Sequence, residues 1–212
     1  MISARRFPIV ATMLLASCST PPSDAPTNIS SLRSGLQPVS AFAGIRNDRE
    51  RSAAYFVEAG RVIQHPRCLN CHPVQRMPTQ GDDLHAHVPA MQAGESGHGV
   101  PALQCNTCHQ AANVVTYSSS VRSIPGHPHW MLAPASMSWQ TKSLHDICEQ
   151  IKDPVRNGGR SLDEIREHMA EDSLVGWAWN PGDGRPPAPG TQHEFGELVN
   201  AWIETGAVCP AG

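Results

Sequence analysis

Large aromatic side chains are scarce in this 212-residue chain, because Trp, Tyr and Phe together make up only 5% of it. Few bulky groups are therefore available to fill a core, while 17 Gly and 19 Pro indicate many loops. No block of like charge stands out, which argues against nucleic-acid binding. We expect something other than side chains, such as a bound macrocycle, to fill part of the interior.

Long hydrophobic runs are also missing. The apolar run from Phe7 to Ala16 has ten residues, too few to span a bilayer as a mature helix. It follows Arg5 and Arg6, and this order of a short basic segment and an apolar segment is typical of a secretory leader. We therefore expect an exported protein.

The leader ends at Leu15–Cys18, an aliphatic residue and two small residues before a Cys, which is the pattern of a bacterial lipoprotein. We expect a leader over residues 1–17, a lipidated Cys18 and a lipid-anchored protein in the periplasm. Ser19, rather than Asp, after the lipidated Cys favours the outer membrane. An ordinary leader with a chance Cys is the alternative. Loss of the leader would leave 14 Lys and Arg against 19 Asp and Glu.

Residues 18–46 are rich in Pro, Ser and Thr, and they predict a disordered tether. The folded part is expected to start near Asn47. Five residues at three- and four-residue spacing then predict one face of a helix that ends before Pro66. They are Ala53, Phe56, Val57, Gly60 and Ile63.

Residues 141–212 predict three helices. The first is capped by Thr141 or Ser143, and the others begin at the capping boxes Ser161–Glu164 and Thr191–Glu194. Their apolar stripes are expected to face a shared core. Residues 73–140, in contrast, are rich in Pro, Gly and Ser and show little periodicity.

The seven Cys divide into three groups. Cys18 belongs to the leader pattern, and four others belong to two Cys-x-x-Cys-His motifs. Cys148 and Cys209 remain, and an even remainder in an exported chain predicts a disulfide between them. Two buried free thiols are the alternative.

The two Cys-x-x-Cys-His motifs predict covalent attachment of two c-type haems. In such a motif both thiols add to the vinyl groups of one haem, and the adjacent His supplies the proximal nitrogen to the iron. The residues assigned in this way are Cys68, Cys71 and His72 for the first haem, and Cys105, Cys108 and His109 for the second.

Two other kinds of site use the same residue types. All four motif Cys could bind one zinc ion, but zinc does not require the His that follows each pair. A thioredoxin-like redox pair would need a strand–helix context that neither motif has. Haem attachment explains every residue of both motifs.

The second axial ligand of each haem is sought among the remaining His. Three of them, His145, His168 and His193, lie on predicted helices, where a solvated face or a helix end is the expected position. The other six lie in irregular segments around the motifs, where a loop can bring a ligand over an iron.

His87 is the first choice for the first haem and His129 for the second, because both lie near Pro in stiff extended chain. His65 and His98 are further candidates, each for the haem of the other motif. For each of these a plain surface His is the alternative. A Met ligand in place of His129 would raise the potential of that haem, and the candidates are Met131 and Met137.

These patterns together predict a mainly α, loop-rich, cytochrome c-like two-haem domain with a helical C-terminal part. Residues 47–140 are the predicted two-haem region, and residues 141–212 are expected to pack on it. The proximal ligands His72 and His109 are 37 residues apart, so we expect the haems to lie close in space.

Several segments resemble bacterial proteins labelled isoquinoline 1-oxidoreductase subunit, a group of two-haem cytochromes. The resemblance covers roughly residues 45–210. The matching segments are His65–Pro73, Gly99–Gln110, His129–Trp130 with Ala133–Pro134, Ile147–Pro154, and Asp172–Trp177 with Asn180–Gly182. The resemblance implies association with a molybdenum hydroxylase that needs an electron outlet. It does not imply hydroxylase activity, because the chain is too short for such an enzyme and nothing in it would bind a molybdopterin.

The expected function is electron transfer rather than catalysis. Electrons would enter one haem from a periplasmic dehydrogenase or hydroxylase and leave by the other toward a respiratory acceptor. A two-haem peroxidase is one alternative, although its motifs usually lie far apart. A haem-containing sensor or docking subunit of an oxidoreductase complex is the other.

Overall fold

The computed structural model of the protein describes Met1 and residues 35–212, and this part is mostly helical and rich in loops. The predicted leader, the lipidated Cys18 and the first part of the tether lie outside the described residues. Six helices occur in the described part: α1 Asp48–Ile63, α2 Pro66–Leu69, α3 Leu144–Lys152, α4 Leu162–Glu171, α5 Ser173–Gly176 and α6 Gln192–Glu204. The predicted mainly α, loop-rich class is confirmed at this level.

Helix α1 has the predicted position. Asn47 caps it by accepting bonds from the backbone N–H groups of Arg49 and Glu50. Its buried stripe includes Phe56, which is fully buried, but the prediction for Val57 is wrong, since half of that side chain is exposed. The buried face is turned slightly around the helix and includes Ser52, Tyr55, Ala59 and Val62 instead.

Packing begins upstream of Asn47. Leu36 is buried in the core, and a short 3-10 segment, Val39–Phe42, follows it. The ring of Phe42 meets that of Tyr55 edge-on at 5.0 Å, and the backbone N–H of Gln37 donates to Glu58. The last residues of the predicted tether therefore belong to the folded part.

The three predicted C-terminal helices are present with their caps. Ser143, not Thr141, caps α3, while Ser161 and Thr191 form complete capping boxes at α4 and α6. Thr141 has a positive φ of 67° just before α3. The short helices α2 and α5 were not predicted, because four residues are too few to show periodicity.

Helix α6 lies between α1 and α4 and contacts both along their lengths. Its fully buried Trp202 packs against Phe56 of α1 at a ring distance of 4.8 Å. On the α4 side, Gly196 allows close approach, since a Cβ there would lie 2.6 Å from the Cβ of Ala170. These helices, together with α3, enclose the main hydrophobic core.

Residues 73–140 form loops held by three antiparallel two-residue hairpins. The strands are β1 Thr79–Gln80 with β2 His85–Ala86, β3 Gly99–Val100 with β4 Leu103–Gln104, and β5 Val114–Val115 with β6 Ser123–Ile124. Thr79 pairs with Ala86, Gly99 with Gln104 and Val114 with Ile124.

Cys148 of α3 forms a disulfide with Cys209, so the predicted pairing is confirmed. Their Cα atoms lie 5.6 Å apart, within the ordinary range for a disulfide. The bond ties the C-terminal segment after α6 to the core. In the part of the chain that the structure describes, no helix has the length and apolar character needed to cross a membrane.

We expect Gly196→Val to lower the free energy of unfolding by about 1–3 kcal/mol, because the added methyl groups would force α6 away from α4. Denaturant titration of the mature protein measures this change. Gly44→Val is the matched control, since nothing lies within 4 Å of a Cβ at that position. Equal unfolding midpoints for the two variants would contradict the close packing at Gly196.

Replacing both members of the disulfide, Cys148→Ala with Cys209→Ala, should lower stability by up to about 4 kcal/mol, the chain-entropy value for a closed loop of this length. The bridged positions are 61 residues apart. Thermal or denaturant unfolding gives the loss, and reduction of the wild-type protein should produce a similar one. A variant as stable as the oxidised wild type would argue against a stabilising bridge.

Candidate functional site

The first Cys-x-x-Cys-His motif begins in α2, which follows α1 closely, and continues into the turn after α2. Cys68 belongs to α2, and the N–H groups of Cys71 and His72 continue the turn by donating to the carbonyls of Cys68 and Leu69. A distant segment closes over the motif, because Ala133 N–H donates to Cys71 and Trp139 N–H to His72. Residues 133–140 therefore fix the motif in place.

The imidazole of His72 is held as a neutral donor. Its Nδ1 lies 2.6 Å from the carbonyl oxygen of Met137, and its ring stacks on Trp139 at 3.5 Å. Burial lowers the pKa of His72 to about 4, with repulsion from His168 adding to the effect. Since Nδ1–H donates to the carbonyl, the lone pair of Nε2 is available to bind a metal.

Cys68, Cys71 and His72 line a cavity of about 180 Å³ that opens to solvent. This volume is smaller than the roughly 300–1,000 Å³ typical of cofactor sites. Most of the other lining side chains are apolar, and they include Trp130, Leu132, Met137, Ile165, Leu174 and Phe195. Walls of this kind suit an apolar group that extends from the cavity into its opening.

Neither thiol of the first motif is poised for redox exchange. Burial raises the pKa of Cys68 to about 12 and that of Cys71 to about 11, whereas redox-active pairs have lowered values. All four motif Cys are unpaired within the described residues, although Cys148 and Cys209 are bridged. The motif thiols are therefore distinct from the structural disulfide.

Polar atoms at the cavity test whether haem fits it. The Nε of Arg67 and the Nε1 of Trp139 are buried without a hydrogen-bond partner among the described residues, and both side chains line the cavity. The guanidinium of Arg67 pairs with Asp82, and a second cation, Arg160, also lines the walls. An apolar ring with anionic carboxylates matches this combination, because carboxylates accept bonds from such donors. The residues present fit haem.

The second motif lies at the surface, on a 3-10 turn after the β3–β4 hairpin. His109 N–H donates to the Cys105 carbonyl, and Cys105 N–H donates to His98. Gly99 makes the hairpin possible, because its φ is 101° and a Cβ would lie 2.7 Å from the Leu103 oxygen. Cys105 is half-buried and Cys108 is exposed.

His109 repeats the arrangement of His72. Its Nδ1 lies 2.7 Å from the carbonyl oxygen of Pro125, and its ring stacks on Trp130 at 4.6 Å. Burial again lowers the pKa of the imidazole. Nε2 is therefore left with its lone pair here as well.

Trp130 contacts both sites. It lines the cavity beside the first motif, and its ring stacks on His109 of the second. Trp177 meets it edge-on at 5.0 Å and is fixed by a bond from its Nε1 to Asn113. One indole ring thus separates the first cavity from the second imidazole.

The structure brings His87 next to His109, with ring centres 5.9 Å apart. The sequence analysis assigned His87 to the haem of the first motif, whereas the structure places its ring beside the His of the second motif. The β1–β2 hairpin places His87, whose backbone N–H donates to Pro78, while its Nδ1 lies 2.7 Å from the carbonyl oxygen of Pro89. The sequence could not show the contact between His87 and His109, because this contact depends on how the loops fold.

The other predicted ligands lie as follows. His129 and His98 are exposed, and the N–H of His129 donates to His127. His65 caps α2 by accepting a bond from Arg67 N–H, so its Nδ1 is already used. Both Met candidates line the first cavity, namely Met131 and Met137.

One residue that the sequence analysis set aside lies in the first cavity. His168 of α4 lines it together with His72, and Asp172 holds the Nδ1 of His168 at 3.1 Å. Burial lowers the pKa of His168. Two features of the sequence would have indicated this position: the apolar Ile165 one turn earlier on the same helix, and the carboxylate of Asp172 four residues later.

Within residues 35–212, no three His, Cys, Asp or Glu side chains come together in a cluster able to hold a metal ion. The zinc site of four Cys considered from the sequence is therefore not formed in this part of the structure. An iron in a porphyrin needs only axial ligands from the protein, and single imidazoles at two separate places suit it.

Comparison of the chain with protein-family models, with curated proteins and with solved structures found no match.

Proposed function

We propose that the protein is an exported electron-transfer cytochrome that binds two haems covalently, one at each Cys-x-x-Cys-His motif. One observation supports this most strongly. His72 lines an apolar cavity together with Cys68 and Cys71, and its Nδ1 bonds to the carbonyl oxygen of Met137, which leaves Nε2 for a metal. This is what a proximal iron ligand beside a thioether-linked ring requires.

The chain's own residues bind and orient the cofactor. Cys68 and Cys71 would hold the first haem and His72 would bind its iron, while Arg67 and Arg160 would be available to the carboxylates. Haem iron supplies a reversible change between ferric and ferrous states, which takes up and releases one electron. The apolar walls keep water from the ring and so influence its potential.

At the second site, Cys105 and Cys108 would hold the haem and His109 would bind its iron, and His87 would supply a second ligand. The rings of His87 and His109 are 5.9 Å apart. Both have Nδ1 bonded to a carbonyl, which leaves both Nε2 atoms for the metal.

Electrons would pass between the two haems in the region of Trp130, where the first cavity and His109 of the second motif come close together. This ring stacks on His109 and lines the cavity of the first haem. The two cofactors would then be neighbours, and no catalytic side chain is needed for the function.

The setting of the proposed function is the periplasm. The disulfide suits an oxidising compartment, and c-type haem is attached outside the cytoplasm. We propose redox proteins of that compartment as partners, with a dehydrogenase or a molybdenum hydroxylase as donor and a respiratory carrier as acceptor, and a lipid anchor at Cys18 on the outer membrane.

The proposal predicts that protein matured in a host able to attach haem c gains the mass of two haems under denaturing conditions. Changing Cys68 and Cys71 to Ala should remove one haem, since both thioether bonds are lost. The matched control changes Cys148 and Cys209 to Ala and should keep both haems. Denaturing mass spectrometry measures each case, and a bare wild-type polypeptide would overturn the proposal.

A visible spectrum of the same material separates transfer from catalysis. Electron transfer predicts two six-coordinate, low-spin haems that are reduced and reoxidised reversibly. A stable high-spin haem that reacts with peroxide would support a two-haem peroxidase instead, because catalysis needs an open position on the iron.

We expect His87→Ala to convert the second haem to the high-spin form while leaving the haem content at two, since the thioether links remain. Electron paramagnetic resonance measures the spin state. His85→Ala is the control, because His85 lies on the same hairpin but bonds to Asp83. Two low-spin haems in His87→Ala would exclude His87 as a ligand.

A further inference from the structure

His168 has the position and the free nitrogen expected of a metal ligand. It lies on α4, far from the first motif in the sequence, yet it lines the same cavity as His72, Cys68 and Cys71. Within residues 35–212, the imidazole makes its hydrogen bond through Nδ1, and Nε2 makes none. The side chain of His168, with a ring nitrogen that has no hydrogen-bond partner among the described residues, therefore borders the space proposed for the first haem.

Asp172 fixes the orientation of that ring. Its Oδ2 lies 3.1 Å from Nδ1 of His168, while its Oδ1 caps α5 by accepting the N–H groups of Leu174 and Val175. The carboxylate is thus immobilised at the junction of α4 and α5. A carboxylate that accepts Nδ1–H sets the tautomer and raises the basicity of a ligating imidazole.

The packing of α4 also supports a fixed position for His168. Ile165 and Met169, three residues before and one after it, are buried in the core, and Gly196 holds α4 close to α6. Rigid helices place ligands more accurately than loops do.

We infer that His168 is the second axial ligand of the iron at the first motif, and that Asp172 is the residue that positions it. This inference rests on the proposed function, since it requires a haem at Cys68 and Cys71. It replaces the sequence-based choice of His87 for that haem.

Three Met side chains are the competing ligands, because Met131, Met137 and Met169 also line the cavity. Met137 and Met169 are buried members of the hydrophobic core. Among residues 35–212, no side chain bonds to any of the three sulfurs as Asp172 bonds to His168. The cavity therefore favours the imidazole.

The test uses mature protein with its haem content verified by mass. His168→Ala should retain two haems but change one of them from low-spin to high-spin, and added imidazole should restore the low-spin form. His193→Ala is the matched control, since His193 is also helical and pairs with Glu197 four residues later but is 84% exposed. The control should leave both haems low-spin.

Two conservative variants keep the inference testable should His168→Ala fail to fold. His168→Met should keep six-coordination but raise the potential of one haem only, because a thioether stabilises ferrous iron. Asp172→Asn should leave ligation intact and raise the same potential by a smaller amount, because the imidazole becomes less basic. Spectroelectrochemical titration measures both.

The outcomes separate the two proposals. Wild-type protein without haem would overturn the proposed function itself. Two haems with an unchanged low-spin spectrum in His168→Ala, or a methionine–iron charge-transfer band in the wild type that persists in this variant, would overturn the assignment of His168 alone.

Discussion

The packing of α6 between α1 and α4 is the interaction on which the rest of the structure depends. Helix α1 leads directly into the first Cys-x-x-Cys-His motif, and α4 bears His168, which lines the same cavity. Both are positioned by one helix through Trp202 on one side and Gly196 on the other. The width of the first site is therefore set by the core, not by the loops around it.

The second site has a different basis. It depends on backbone hydrogen bonds and short hairpins, with Gly99 at a sharp turn and Pro125 and Pro89 supplying carbonyl acceptors to the two imidazoles. Loops of this kind expose a cofactor more than a helical core does, and Cys108 is exposed. Under the proposed function, a redox partner would contact the protein at the second, more exposed haem, while the first haem would lie more deeply among the helices.

Local signals in the sequence predicted a large part of this arrangement. The capping boxes at Ser161 and Thr191, the stop before Pro66 and the pairing of Cys148 with Cys209 all follow from short patterns, and the structure has them. The position of His87 could not be predicted in this way. It depends on contacts between segments far apart in the chain, and residues 73–140 lack the periodicity that would have located this residue.

The walls of the first cavity have a consequence for maturation. Cys68 and Cys71 lie early in the chain, whereas the segments that cover them, around Met137 and His168, lie far toward the C-terminus. Thioether bonds form while the enzyme that makes them has access to the thiols. If the protein is matured as proposed, haem must be attached to Cys68 and Cys71 before the segments around Met137 and His168 pack over these thiols. The C-terminal half would then fold against a haem that is already attached.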